Sequence, residues 1–216
     1  MPYEETEGEP MTWKNGEYQP KQERADRKKG LILDAALDLF GTRGFHATTA
    51  KDVAAKAGVA TGTFYRCFVD KKALFMAVCQ RIEREIGEQL FESGLQMRRE
   101  GHPEPRILAS LVGRAIAAHH QNKAFHREVM AMQIADPDIA AWAREREKRF
   151  LTSLLEFMWS STTEYRVRDL EAAAELVLAI TEEVAHRAVI FDSPVGEERL
   201  VNELQDMLSR YLFDKA

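Results

Sequence analysis

Between residues 48 and 74 the chain reads TTAKDVAAKAGVATGTFYRCFVDKKAL, and here residue types recur at spacings that packing alone does not require. Thr61, Gly62 and Thr63 open a short helical stretch, two hydroxyls flanking a residue with no side chain. Helical amides point outward at such an end, favour a phosphate and let a partner's backbone come close. Half a turn on, Tyr65 offers a phenol donor and Arg66 a guanidinium that reaches a phosphate or the acceptor edge of guanine. Lys71 and Lys72 follow an Asp70 cap, which sets cationic side chains beside another positive helix end. The chemistry on offer is anion binding joined to hydrogen-bond readout of bases.

These side chains need a rigid frame, and the flanking residues supply one. Residues 50–57 make a short helix that Thr49 is placed to cap, since its hydroxyl can accept from the first-turn amides. Gly58 supplies the positive φ that ends this helix, and Val59 is the apolar plug between two helices meeting at a steep angle. The second helix covers residues 61–67, with Phe64 and Phe68 one turn apart and facing the core. This is a helix-turn-helix. Ahead of it, Ile32, Ala35, Ala36, Leu39 and Phe40 recur at helical spacing up to a break between Gly41 and Gly44. Behind it, Leu74, Val78, Ile82, Ile86 and Leu90 step by four residues along a helix running from residue 70 to about 99. At 1.5 Å per residue that helix is roughly 45 Å long, enough to belong to both halves of the chain.

Taken together, ILDAALDLFGTRGF, the pair Thr48-Thr49, DVAAKAGVATGTFYRCF and DKKAL resemble the DNA-binding domain of the tetracycline-repressor (TetR) family of bacterial transcription regulators. The resemblance covers roughly residues 30–78, with many positions matching at fixed spacing and no gap. It implies that Thr49, Tyr65 and Lys71 contact phosphates and that Thr61, Gly62, Thr63 and Arg66 lie on the base-facing surface. Two positions depart from the family pattern. Ala60 stands where a hydroxyl residue commonly caps the recognition helix, which hands the cap to Thr61, and Cys67 stands where an aromatic or histidine is common.

The net charge of −5 over 216 residues argues at first against a nucleic-acid partner. By segment the objection disappears: residues 1–19 carry −4, residues 20–72 carry +5 and the remainder −6, so the positive charge sits where the motif is. Lys21, Arg24, Arg27, Lys28 and Lys29 lead into the first core helix, either as its solvated start or as an arm adding phosphate contacts. Residues 1–20, with five glutamates, three prolines and two glycines, read as a disordered leader. No long apolar run and no signal-peptide pattern occurs, so a soluble cytoplasmic protein without membrane contact is expected. Cys67 and Cys79 are too few for a disulfide framework and form no CxxC pair.

The second half divides into helices near residues 106–120, 123–135, 138–160, 169–191 and 197–213. Its bulky aromatic and thioether side chains either fill the core or border a cavity between helices; the family resemblance implies a cavity, with Phe91, Phe125, Met130, Trp142, Phe150 and Phe157 as the candidate lining. Leu170, Val177, Ile180 and Val184 recur at a period near 3.5, and Leu204, Leu208 and Tyr211 continue a wide stripe on the last helix. Two such helices from each chain can form a four-helix bundle about a two-fold axis; use of both stripes inside one chain is the alternative. His119, His120, His126 and His186, with Glu182 or Glu183, match no HExxH or paired Glu-x-x-His array, so neither metal nor cofactor is expected. No serine sits in a nucleophile elbow, and no catalytic constellation stands out.

The expected fold is all-α with about nine helices. Residues 21–70 are a three-helix DNA-binding domain of helix-turn-helix type, and residues 71–216 a helical ligand-binding and dimerisation domain. The expected function is a ligand-responsive regulator, a repressor, binding a palindromic double-stranded operator as a homodimer and answering to a small apolar or amphipathic effector. The rival readings are a helical enzyme or small-molecule-binding protein with an incidental helix-turn-helix, and a non-specific DNA-organising protein.

Overall fold

The computed structural model describes residues 13–14, 17–18 and 21–213. The expected leader over residues 1–20 lies mostly outside them; its four described residues form two strands, β1 (Trp13–Lys14) and β2 (Glu17–Tyr18), paired antiparallel. Nine α-helices follow among the described residues: α1 (Lys21–Arg43), α2 (Ala50–Lys56), α3 (Thr61–Cys67), α4 (Lys71–Arg99), α5 (Glu104–Gln121), α6 (Lys123–Ala135), α7 (Pro137–Trp159), α8 (Leu170–Ala185) and α9 (Glu197–Leu212). A π-helical turn, His186–Ile190, extends α8, closed by the Phe191 amide donating to the His186 carbonyl at 2.9 Å. The basic residues from Lys21 to Lys29 are the opening turns of α1 rather than an extended arm.

The chain divides into two compact units, Met1–Val78 and Cys79–Ala216. The division falls inside α4 instead of at its start, because Leu74, Phe75 and Val78 are fully buried in the first unit. That core closes around aromatic contacts: Phe75 meets both Phe40 and Phe45 edge-on, each at 5.3 Å between ring centroids. Val53 from α2 and Phe64 from α3 are buried completely in the same unit, which docks the short helices despite their few hydrogen bonds of their own.

In the second unit α5 packs on α8 and α9, α7 on α8, and α6 on α7. One apolar cluster joins Val112, Leu155, Met158, Val177, Leu204 and Leu208; a second joins Leu90, Ile107, Leu111 and Phe157. Gly94 is what lets Phe157 lie against α4, since a Cβ there would stand 2.8 Å from the ring's Cζ. Arg98 fastens the end of α4, donating to buried Glu104 at 2.6 Å, to Ser160 Oγ at 2.6 Å and to the Phe157 carbonyl at 3.2 Å. No described helix is long and apolar enough to cross a membrane.

Candidate functional site

The turn between α2 and α3 is built locally. Thr49 caps α2 with its hydroxyl accepting from the Asp52 amide at 3.2 Å, while the Asp52 carboxylate accepts from the Thr49 amide at 2.9 Å, a reciprocal capping box. The Thr49 hydroxyl and amide hold the Asp52 carboxyl below the usual carboxylate range. Gly58 adopts φ +65°, and the Val59 amide reaches the Ala54 carbonyl at 3.0 Å while the Gly58 amide reaches Ala55 at 3.2 Å. These crossed bonds are a Schellman ending, which depends on the positive φ that glycine tolerates.

α3 presents Thr61, Gly62, Tyr65 and Arg66 to solvent, with Tyr65 58% exposed and its ring edge-on to buried Phe64 at 5.1 Å. A Cβ added at Gly62 would touch nothing within 4 Å, so this face is open to an approaching backbone. Three expectations are corrected here. Ala60, not Thr61, occupies the cap position, extended and without a side-chain hydrogen bond, which leaves the Thr61 hydroxyl on the exposed face. Thr63 is buried at 7% exposure, where its hydroxyl accepts from Arg66 Nη2 at 3.0 Å: it orients the guanidinium rather than facing bases. Lys71 turns inward, its ammonium donating to the carbonyls of Phe45 at 2.6 Å and Thr48 at 2.7 Å and sitting 4.3 Å from the Phe45 ring. A carbonyl cluster at the end of the α1–α2 loop is a ready cation site, and α4 starts close enough for Lys71 to fill it. Thr49 stays exposed beside this anchor, and Arg27 and Lys28 are exposed on α1.

The second unit holds a cavity of about 200 Å³. Phe91, Phe125, Trp142 and Phe150 line it; Phe157 lines a second, more open cavity that shares Phe91, Trp142 and Phe150 with the first, and Met130 lines neither. Met130 follows the lining residue Val129 by one position, about 100° around α6, and packs instead with Ile116 and Val189. Phe157 shares a face of α7 with Phe150 but lies two turns further on, where it stacks at 4.2 Å under the Arg98 guanidinium. Ile82, Ile86, Leu111 and Val112 complete the apolar wall.

A few polar groups interrupt that wall. Arg146 Nη2 donates to Glu182 Oε1 at 2.9 Å, and the Trp142 indole Nε1 and Thr181 hydroxyl are buried without a hydrogen-bond partner. Burial pushes the Cys79 thiol up to about 12, so it is an inert lining group. Burial, then the neighbouring histidines, pushes His126 down to about 3, and burial lowers His119 as well. Arg146 and Thr181 do not stand out in the sequence, and Glu182 stands out there only as a neighbour of the histidines. The available signal was a polar residue recurring on the apolar face of a helix.

The stripes assigned to a dimer seam are largely spent within the chain. Leu204 and Leu208 are buried at 3% and 1% exposure and Val177 at 6%, in one cluster with α5 and α7 residues, while Leu170, Ile180 and Val184 pack against it. Of the expected seam Tyr211 is 39% exposed, and Leu170, Ile180 and Val184 are half-buried. Other large apolar side chains on these elements are exposed: Leu176 on α8 at 48%, Met207 on α9 at 45%, and Phe191 at 63%.

Nine helices among the described residues, with an exposed recognition helix behind a tight turn and a following helical unit with its own cavity, are the architecture of a DNA-binding transcription regulator of helix-turn-helix type. Residues 32–78 match the sequence profile of the bacterial regulatory proteins of the tetR family, and residues 88–212 that of the tetracyclin repressor-like C-terminal domain, so the chain belongs to the TetR family. That family regulates transcription and is not enzymatic. The HTH-type transcriptional regulator UidR of Escherichia coli K12 is 24% identical over 158 residues, 72% of each chain. The HTH-type transcriptional regulator YerO of Bacillus subtilis is 29% identical over 101 residues, and the match spans 46% of this chain but only 34% of that protein. A crystal structure from Mesorhizobium loti, described as a TetR-family transcriptional regulator, shares the fold with a TM-score of 0.73 at 21% identity, covering 88% of this chain and 98% of its own.

Proposed function

We propose that the chain is a ligand-responsive repressor that binds a palindromic operator as a two-fold dimer. The observation that carries this reading is the course of α4, whose first turns are core to the DNA-binding unit while Ile82, Ile86 and Phe91 line the cavity of the other. An effector in the cavity touches the same helix that anchors the recognition element. It shifts the operator equilibrium only as far as it prefers one placement of that helix over another. The effector is small and apolar or amphipathic: the wall is aromatic and aliphatic, and the indole N–H, the Thr181 hydroxyl and the Arg146–Glu182 pair are its polar handles. A cavity of this size admits at least a compact ring, since an engineered apolar cavity of ~150 Å³ binds benzene.

On DNA, Tyr65 and Thr49 contact phosphates, and Arg66, steadied by Thr63, reads a base edge together with Thr61 across the bare Gly62. One seven-residue helix buries too little for tight binding, so two copies must enter successive major grooves ~34 Å apart. The pairing surface is the outward face of α8 and α9 around Leu176, Met207 and Tyr211, apolar groups that a lone chain leaves in water. A dimer seated on a promoter excludes polymerase, which favours repression. The test is operator selection from a random duplex pool, followed by titration of the selected and a scrambled duplex at matched salt. A selected palindrome bound at least ~1,000-fold more tightly than the scrambled duplex is expected. Equal affinity for both would refute a specific regulator and favour a non-specific organiser.

A further inference from the structure

Three histidines that lie far apart in sequence meet in the second unit. His119 is in the last turn of α5, His126 in the first turn of α6, and His186 opens the π-helical turn. One ring nitrogen from each lies within 4.8 Å of the other two, and His126 Nε2 and His186 Nε2 are 2.9 Å apart. The ring centroids are 4.7, 5.0 and 5.6 Å apart. Three imidazoles joined through Nε2 to one tetrahedral ion at ~2.05 Å place their centroids ~5.2 Å apart and their ligating nitrogens ~3.3 Å apart. The observed centroid spacings bracket that geometry, and small ring rotations bring the nitrogens to it.

The tautomer of His119 gives an independent indication. Its Nδ1 lies 2.8 Å from the Ala115 carbonyl, which only accepts, so the proton is on Nδ1 and the lone pair on Nε2. That Nε2 is buried and has no hydrogen-bond partner. A ring N–H tied to a backbone carbonyl with the far nitrogen left free is how metal-ligating histidines are commonly oriented. A hydrogen bond between His126 and His186 engages those two rings and leaves His119 Nε2 unsatisfied; a cation at the centre engages all three lone pairs. Neutral imidazole is the form that ligates. Glu182 Oε1 stands 4.0 Å from His186 Nε2 and holds the Arg146 guanidinium at 2.9 Å, so the Arg146 charge is paired. Single π-turns of the kind His186 opens recur at functional sites.

We propose that His119, His126 and His186 form a binding site for one divalent transition-metal ion, Zn²⁺ foremost, with Glu182 beside the fourth coordination position. Neutral imidazoles select this class and pass over Mg²⁺ and Ca²⁺, which take oxygen ligands. The site stands whether or not the regulator reading holds, because its ligands and its test involve no DNA.

The test uses untagged full-length protein stripped by a chelator. Zn²⁺ is titrated in competition with a chromogenic chelator, and Co²⁺ serves as the spectroscopic probe. Expected are one ion per chain at micromolar affinity or better and an intense visible Co²⁺ band of tetrahedral type. His126→Phe and His119→Gln should each weaken uptake at least ~100-fold while helicity and cooperative melting persist. His120→Ala should leave uptake unchanged, since that ring pairs instead with Glu197 at 2.7 Å. Uptake that survives both substitutions, or no stoichiometric uptake by the folded wild type, overturns the site. Should a substituted chain not fold, the wild-type Co²⁺ spectrum decides: a weak octahedral spectrum refutes the three-histidine site.

Discussion

Lys71 separates two roles that a cationic residue beside a recognition helix can play. As a phosphate contact, Lys71→Gln would leave stability alone and lower the slope of log affinity against log salt by about one unit. The structure points to the other outcome. The ammonium makes two short charge-assisted hydrogen bonds, to Phe45 and Thr48, and a longer one to the His46 carbonyl at 3.4 Å. Each short bond contributes ~1.5 kcal/mol, the low end for charged groups because Lys71 is only half-buried, and the Phe45 ring adds ~0.5–1 kcal/mol. Water returning to the freed carbonyls recovers part of that total, so a net loss of ~2–3 kcal/mol is expected. Chemical denaturation of the full chain followed by circular dichroism should show the lost stability, with affinity for operator and random duplex reduced alike once corrected for the unfolded fraction. The salt slope, measured by fluorescence anisotropy between 50 and 200 mM salt, should not change by as much as ~0.5 unit. Unchanged stability with a slope lowered by one unit would refute the anchoring role and return Lys71 to the phosphate.

Arg66→Ala should redistribute preference among operator variants by ~1–3 kcal/mol at one position, whereas Tyr65→Phe should weaken all duplexes alike; competition titrations against single-base variants check both. Thr63→Val should act in the same direction as Arg66→Ala but more weakly, since it removes only the 3.0 Å support of the guanidinium. Leu176→Glu with Met207→Glu places charges in the proposed pairing face and should yield a folded monomer by sedimentation velocity. Leu204→Glu buries a carboxylate in the chain's own core and should unfold the second unit by several kcal/mol. Gly94→Ala should destabilise by ~1–2 kcal/mol in denaturant titration despite the better helix propensity of alanine, because the new Cβ meets the Phe157 ring at 2.8 and 2.9 Å.

The sequence by itself determined what depends on near neighbours. The Thr49 cap, the positive φ of Gly58, the bounds of α3 and the four-residue steps of α4 all rest on interactions within a few residues, and each was legible there; the Asp52 half of the capping box was not singled out. The limits of α5 through α9 were legible to within a few residues for the same reason: proline, asparagine and aspartate mark helix ends chemically. What lay beyond reach was which neighbour each face would meet. Thr63 and Thr61 are two residues apart on one short helix, yet only tertiary packing decides that one supports Arg66 and the other meets solvent. Lys71 turns inward because carbonyls more than twenty residues earlier converge on it, a fact no local pattern encodes. On α8 and α9 an apolar stripe says only that a face is covered, and the chain's own α5 and α7 reach Val177, Leu204 and Leu208 before any second copy can. His119, His126 and His186 carry no spacing signature for the same physical reason. Their rings come from three separate segments, and only the packing of α5, α6 and the π-helical turn brings them together.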